Sequence, residues 1–417
     1  MIFIISKKSL IYAGIGIILC AVLVFGTWML VSNQIVQNAF LSDGEDALEA
    51  EPGTGTTSGS GTVSGSGSES ESQKSQKSYI KWVDFNVPYE AMYKAMKLDI
   101  NSQDKPVKLN WIEMLAYLAA KNGGNFKGYK DKQLDDLAEI LSSGKTMEEL
   151  TQNLKYYPYY LEAYSAVLSG FVGEYEIEVP DKNTEGGKRW ERRYGLKAFS
   201  PIAKNFPYSH YDDFGNSRTY GFKRVHLGND LMGQVGTPII AVEGGVVEAM
   251  GWNQYGGWRI GIRSHDSKRY YYYAHLRKNF PYRKDLKVGS VVKAGDVIGY
   301  MGRSGYSREE NVNNIRQPHL HFGMQLIFDE SQKEGKNEIW IDVYQIVRLL
   351  NRNRSEVVKN PETKDYYRVY DFRDSSELSK PSTPPDDALI DEDIFDDIFD
   401  TGVIDEGVPE DCPADGI

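Results

Sequence analysis

Cysteine is almost absent from this chain: two occur in 417 residues, Cys20 inside an apolar run and Cys412 in an acidic tail. Two thiols in such different surroundings exclude a disulfide framework. An exported protein can do without one, so the scarcity does not argue against a place outside the cell. Histidine is scarce too, with six residues. Basic residues are missing altogether between Lys8 and Lys74, and that gap contains the longest apolar run of the sequence.

Leu10 to Val31 is an uncharged stretch of 22 residues, long enough to cross the hydrocarbon core of a bilayer as a helix. Lys7 and Lys8 precede it, so the positive-inside rule keeps residues 1–9 in the cytoplasm and places the chain after Val31 outside. A cleaved signal peptide would have a shorter apolar region and a small-x-small cleavage site just after it. An uncleaved transmembrane anchor over 10–31 is the expectation.

The net charge of −11 is unevenly spread. Residues 374–417 hold fifteen acids and one base, Lys380, which leaves the remainder at +3. A near-neutral body predicts no nucleic-acid partner. The tail, 375–417, reads as disordered and solvated, with Ile394, Phe395, Ile398 and Phe399 as the residues of a docking motif if it holds one. Residues 32–78 pass from acidic into Gly/Ser/Thr-rich sequence that cannot bury enough apolar surface to order itself, the composition of a flexible linker.

Residues 79–173 read as a small all-α domain. Asn110 can cap a helix over Trp111–Lys121 that stops at Gly123–Gly124. A further helix is expected over Leu134–Leu141, a capping box is formed by Thr146 with Glu149, and a last helix covers Tyr159–Leu168. After about Gly186 short β-rich runs alternate with glycine: Pro238–Val242, Gly245–Met250, Trp258–Arg263, Arg269–His275, Ser290–Lys293, Val297–Met301 and Leu320–Leu326. Their spacing predicts antiparallel sheet, with residues 338–350 as a short closing helix.

Four histidines stand in informative contexts. His226 and Asp230 form H-x-x-x-D in VHLGNDL, His275 ends a tyrosine-rich strand in YYYAHL, and His319 and His321 form H-x-H in PHLHFGM. Residues two apart on a strand point to one face, so the H-x-H pair projects into one site. Imidazole nitrogen and carboxylate oxygen suit zinc, which in catalytic sites takes three protein ligands and keeps a fourth position for water. Each element alone has a plainer reading, a surface histidine near an acid or a strand histidine bonded to a backbone carbonyl. His210 and His265 read as ordinary surface residues.

The order of motifs narrows this. H-x-x-x-D is followed by G-T-P-I-x-A-V-x-x-G-x-V from Gly236, then Gly256–Ile262, Tyr273–Leu276, Val292–Gly299 and H-L-H-F over His319–Phe322. Residues 206–326 resemble the catalytic domain of the lysostaphin/LytM-type zinc endopeptidases of peptidoglycan. With the transmembrane helix and the all-α domain expected before it, the chain reads as multidomain, and the resemblance implies a mostly antiparallel β catalytic domain of that type over 187–350. It implies Zn2+ held by His226, Asp230 and His321, with His275 and His319 in catalysis, and peptidoglycan peptides as substrate. A non-catalytic envelope scaffold is the rival reading, and filled positions at all five residues favour the enzyme.

Weaker signals surround the core motif. Val288–Gly299 also resembles a biotinyl or lipoyl carrier hairpin, but Lys293 lacks the tight-turn context of a modified lysine. The tyrosines of 156–160 and 270–273 could stack on sugars, though alternation lets only half of the second run face one side. Glu113 is a conceivable glycosidase acid, and a surface role is the simpler reading. The helical domain and the tail are the candidate sites for an envelope protein partner. The helical domain or Lys188–Tyr194 could also occlude the groove, and the charged loop 305–319 could form one of its walls.

Overall fold

The computed structural model describes residues 79–374 except 221, 334 and 336. The expected anchor, linker and acidic tail lie outside the described residues. Among the described residues no helix is long and apolar enough to cross a membrane.

Five helices lead the described chain: Tyr89–Ile100, Trp111–Asn122, Asp131–Ser142, Met147–Thr151 and Tyr157–Leu168. Their ends follow from local chemistry. The Asn110 side chain accepts from the backbone N–H groups of Ile112 and Glu113 at 2.9 and 3.2 Å, satisfying donors that a helix start leaves open. Gly123, at φ 59°, closes that helix in the left-handed region,. The reciprocal Thr146–Glu149 capping box is present. The third and fifth helices start earlier than their apolar spacing suggested, the fifth because Pro158 fits the first turn of a helix,.

The central sheet has the strand order 291–292, 245–253, 257–264, 269–274, 319–326, 229–232 and 209–210, with 339–341 also pairing to 319–326. All its pairs are antiparallel. The seven expected strands all appear, with ends shifted by up to three residues. The expected closing helix over 338–350 is corrected: Ile339–Ile341 extends the sheet and the helix is Tyr344–Leu350. Gln325 faces Trp340 across that edge pairing, so the β-branched Ile339 and Ile341 are drawn into the sheet.

A second, three-stranded sheet was not read from the sequence. Val172–Pro180 pairs with Lys188–Leu196 and with Phe372–Asp374. Its first strand carries the alternation of a half-buried strand, Tyr175, Ile177 and Val179 between Glu174, Glu176 and Glu178,, while its partner is rich in charge, as in Arg192 opposite Glu176,. Buried residues of the helices, such as Tyr164 and Leu168, and of the central sheet, such as Tyr271 and Phe322, belong to one continuous apolar cluster.

Candidate metal and catalytic centre

Strand register builds the site. Along the pairing of 319–326 with 229–232, His321 lies directly opposite Asp230 and Leu320 opposite Leu231. Leu320 and Leu231 are fully buried beneath, and alternation turns His319, His321 and Asp230 to the other face. His275 follows immediately after the neighbouring strand, whose Ala274 lies opposite His321. It holds φ 62°, an uncommon and strained conformation for a residue with a Cβ.

Three donor atoms converge. His226 Nε2 lies 2.8 Å from His321 Nδ1 and 3.1 Å from Asp230 Oδ1, and those two lie 3.4 Å apart. Metal–nitrogen and metal–oxygen bonds of about 2.0–2.2 Å at tetrahedral angles place ligand atoms about 3.3–3.6 Å apart. Asp230 Oδ1 is buried and takes no hydrogen bond. A buried carboxylate oxygen without a donor, facing two imidazole nitrogens, fits a cation. His226, Asp230 and His321 are the group among the described residues able to hold a metal.

The remaining nitrogens are fixed by backbone carbonyls. His226 Nδ1 faces Asp213 O at 3.0 Å, His275 Nδ1 faces Ser304 O at 3.0 Å and His319 Nδ1 faces Gln317 O at 2.9 Å. A carbonyl only accepts, so each Nδ1 carries the proton and each Nε2 presents a lone pair. Burial, reinforced by His319 and His321, holds the His275 pKa well below its ordinary value. Burial pushes His321 down to about 4, against the pull of Asp230. Burial would raise Asp230, but the neighbouring imidazoles of His226, His321 and His319 outweigh it and hold its pKa well below the usual carboxylate range.

A shell of residues without a sequence signal supports this set. Asp213 Oδ1 accepts the Asp230 backbone N–H at 3.1 Å. Arg218, on the hairpin of Ser217–Tyr220 with Phe222–Val225, donates to Asp213 Oδ2 at 2.5 Å and to Asp230 Oδ2 at 3.1 Å. That leaves Oδ1 as the open oxygen of Asp230. Gly228 must be glycine, since a Cβ there would meet the His321 ring at 2.7 Å and the Phe322 carbonyl at 2.7 Å. Only the unremarkable Asp-Asp of YDDFGN and the glycine inside H-x-x-x-D could have pointed to them.

The cleft above the site has a volume of about 300 Å³. Tyr270 and Tyr272 line it while Tyr271 and Tyr273 are core, the division that alternation requires. Tyr306, from the charged loop, forms part of its wall. That loop is tied down where Asn311 accepts from Trp258 Nε1 and the Asn279 N–H, both at 2.9 Å. No residue of the helices or of Lys188–Tyr194 is among the lining residues, so neither occludes the cleft. His210 and His265 also lie outside it. Both are half-buried, not the surface residues expected. His210 packs on Tyr344 at 4.5 Å between ring centres, and burial pushes its pKa down to about 4. Glu113 and Lys293 stand apart from the cleft as well, Lys293 held by Asp371 at 3.1 Å.

Residues 224–334 match the profile of Peptidase family M23. The chain carries an M23 metallopeptidase domain. Several curated relatives align with it, among them an endopeptidase and a lysostaphin. The L-Ala–D-Glu endopeptidase of Bacillus subtilis is 37% identical over 158 residues, covering 38% of this chain and 45% of that protein. Lysostaphin of Staphylococcus staphylolyticus is 38% identical over 99 residues, covering 24% of this chain and 18% of its own length. The chain thus spans less than half of either. Among solved structures, a LytM-type protein of Ruminococcus gnavus is 26% identical and covers 64% of this chain and 88% of that one, with a TM-score of 0.41. The M23 match encloses all five site residues, while Asp213 and Arg218 lie just before it.

Proposed function

We propose that the chain is a zinc endopeptidase that hydrolyses peptide bonds of peptidoglycan. The observation that carries this reading is the convergence of His226 Nε2, Asp230 Oδ1 and His321 Nδ1 within 3.4 Å, with His275 and His319 alongside at 4.8 Å between ring centres. Relatives named as peptidoglycan or glycyl-glycine endopeptidases support the substrate class.

His226, Asp230 and His321 would hold the zinc, which when bound polarises a scissile carbonyl and makes its water acidic enough to attack near neutral pH. His319 Nε2 accepts the proton of the attacking water. His275 Nε2 is also a lone pair in the neutral ring, so His275 stabilises negative charge on the tetrahedral centre only after it has taken up a proton. Its part is therefore a proton relay to the leaving amine. Arg218 and the Asp213 carbonyl keep Asp230 and His226 in orientation throughout.

Leu10–Val31 anchors the protein in the membrane, and the linker over 32–78 carries the M23 domain outward to the wall. The uncharged length of the run and the lysines before it support that topology. The helical region or the acidic tail would hold an envelope protein partner.

The test uses the full chain with intact peptidoglycan and zinc. Release of new amino groups that stops on chelation, returns with zinc and is lost in His319→Ala is the expected result. No release from walls of several cross-link types would leave the scaffold reading in its place. External protease on intact protoplasts should remove the M23 domain, and protection of that domain would overturn the topology.

A further inference from the structure

The hairpin beside the metal site sets two arginines directly opposite each other, Arg218 and Arg224. Like charges at opposed positions repel, and an anion partner for each is the usual remedy. Arg218 has two, Asp213 and Asp230. Arg224 has none: no carboxylate among the described residues forms an ion pair with it, and the nearby Asp230 is already engaged by Arg218.

Arg224 is instead built into the cleft wall. Its guanidinium lies 5.2 Å from the Tyr255 ring centre and 5.0 Å from that of Tyr306, a pair of aromatic faces that orient a cation without neutralising it. Nη2 donates to Tyr306 Oη at 2.7 Å. Nη1 is buried and meets no acceptor. A buried, unpaired guanidinium N–H is costly, and the fork of an arginine suits a carboxylate held by two donors. Tyr306 also packs near His275, at 5.8 Å between ring centres, so an anion at Arg224 would lie close to the reacting bond.

We propose that Arg224 is a specificity residue that binds a carboxylate of the substrate next to the scissile bond. The substrate class is then an anionic stem peptide, not the interior of an uncharged oligoglycine bridge. This rests on the endopeptidase reading above and deepens it.

Four probes test it on the full chain. They are a stem pentapeptide with its free D-glutamyl α-carboxylate, the same peptide amidated at that group, the same peptide amidated at its C-terminus, and pentaglycine. Amidation of one of the two carboxylates should raise KM about tenfold, the loss expected for one charge-assisted hydrogen bond. Arg224→Gln should erase that difference by raising KM of the acidic peptide, and Arg224→Lys should restore part of it. Equal KM for all three stem peptides, or hydrolysis of pentaglycine alone, overturns the proposal. Calorimetric binding of the same probes to the chelated, zinc-free chain separates the two readings. Acid-selective binding that depends on Arg224, without hydrolysis of any probe or wall, overturns the endopeptidase and keeps the carboxylate site. Hydrolysis without acid selectivity in either assay overturns the carboxylate site alone.

Discussion

Arg218 reaches two carboxylates at once, and its effect falls on the one oxygen it does not touch. By engaging Asp230 Oδ2 it leaves Oδ1 directed at His226 and His321. Loss of such an outer partner typically costs about 10- to 100-fold in metal affinity. Arg218→Gln should therefore weaken zinc binding by about that factor, measured by competition with a chelator, and unchanged affinity would remove Arg218 from the support of the site. Gly228 acts by having no side chain. Gly228→Ala forces a methyl against the His321 ring and the Phe322 carbonyl, and overpacking of this kind costs about 1–3 kcal/mol. A lower melting temperature together with weaker zinc binding is expected, whereas unchanged values for both would show that the loop yields freely.

The strands show which parts of the site were legible beforehand. H-x-H was readable because strand periodicity is two, and the structure does turn both histidines to one face. The five motif residues stood out through the resemblance of their order along the chain, since each element alone has a plainer reading. Asp213 and Arg218 did not, since orientation of a ligand can come from any loop that reaches it and leaves no spacing in the sequence. Their hairpin, S-R-T-Y and F-K-R-V, has no apolar alternation to mark it. The sheet of Val172–Pro180 with Lys188–Leu196 is different: Tyr175, Ile177 and Val179 alternate with glutamates in its first strand, but its second strand is mostly charged and its third, Phe372–Asp374, comes from almost two hundred residues away. Register is the property these elements share. Leu231 lies buried opposite Leu320 and keeps Asp230 opposite His321. Leu231→Ala should destabilise the fold by about 2–5 kcal/mol in chemical denaturation and weaken zinc binding with it. Full zinc affinity in a destabilised variant would uncouple register from the site.

At the scale of the molecule, the helices do not pack as a separate body. Arg269, fully buried in the central sheet, donates to the Ala166 carbonyl at 2.6 Å and Ser169 Oγ at 3.0 Å. It also pairs with Glu243 at 2.8 Å and Asp266 at 2.7 Å. Removal of one partner from a buried ionic network costs about 3–5 kcal/mol because the other charges remain. Arg269→Ala should lower stability by that amount, and in wild type helical dichroism and tryptophan fluorescence should fall together on heating. Two separated transitions would mean that helices and sheet hold together only weakly. The change from helical to strand spacing was legible from periodicity, but a contact between elements one hundred residues apart has no periodicity to betray it.

The central claim is that His226, Asp230 and His321 hold a zinc which His319 and His275 use but do not bind. Zinc content and amino-group release from peptidoglycan, measured side by side in wild type, His321→Ala and His319→Ala, test it most directly. Wild type should carry a single zinc and release amino groups, His321→Ala should lose both, and His319→Ala should keep its zinc while release disappears. A His321→Ala chain that retains zinc and activity, or a wild type that cleaves wall peptides with no metal bound, would contradict it.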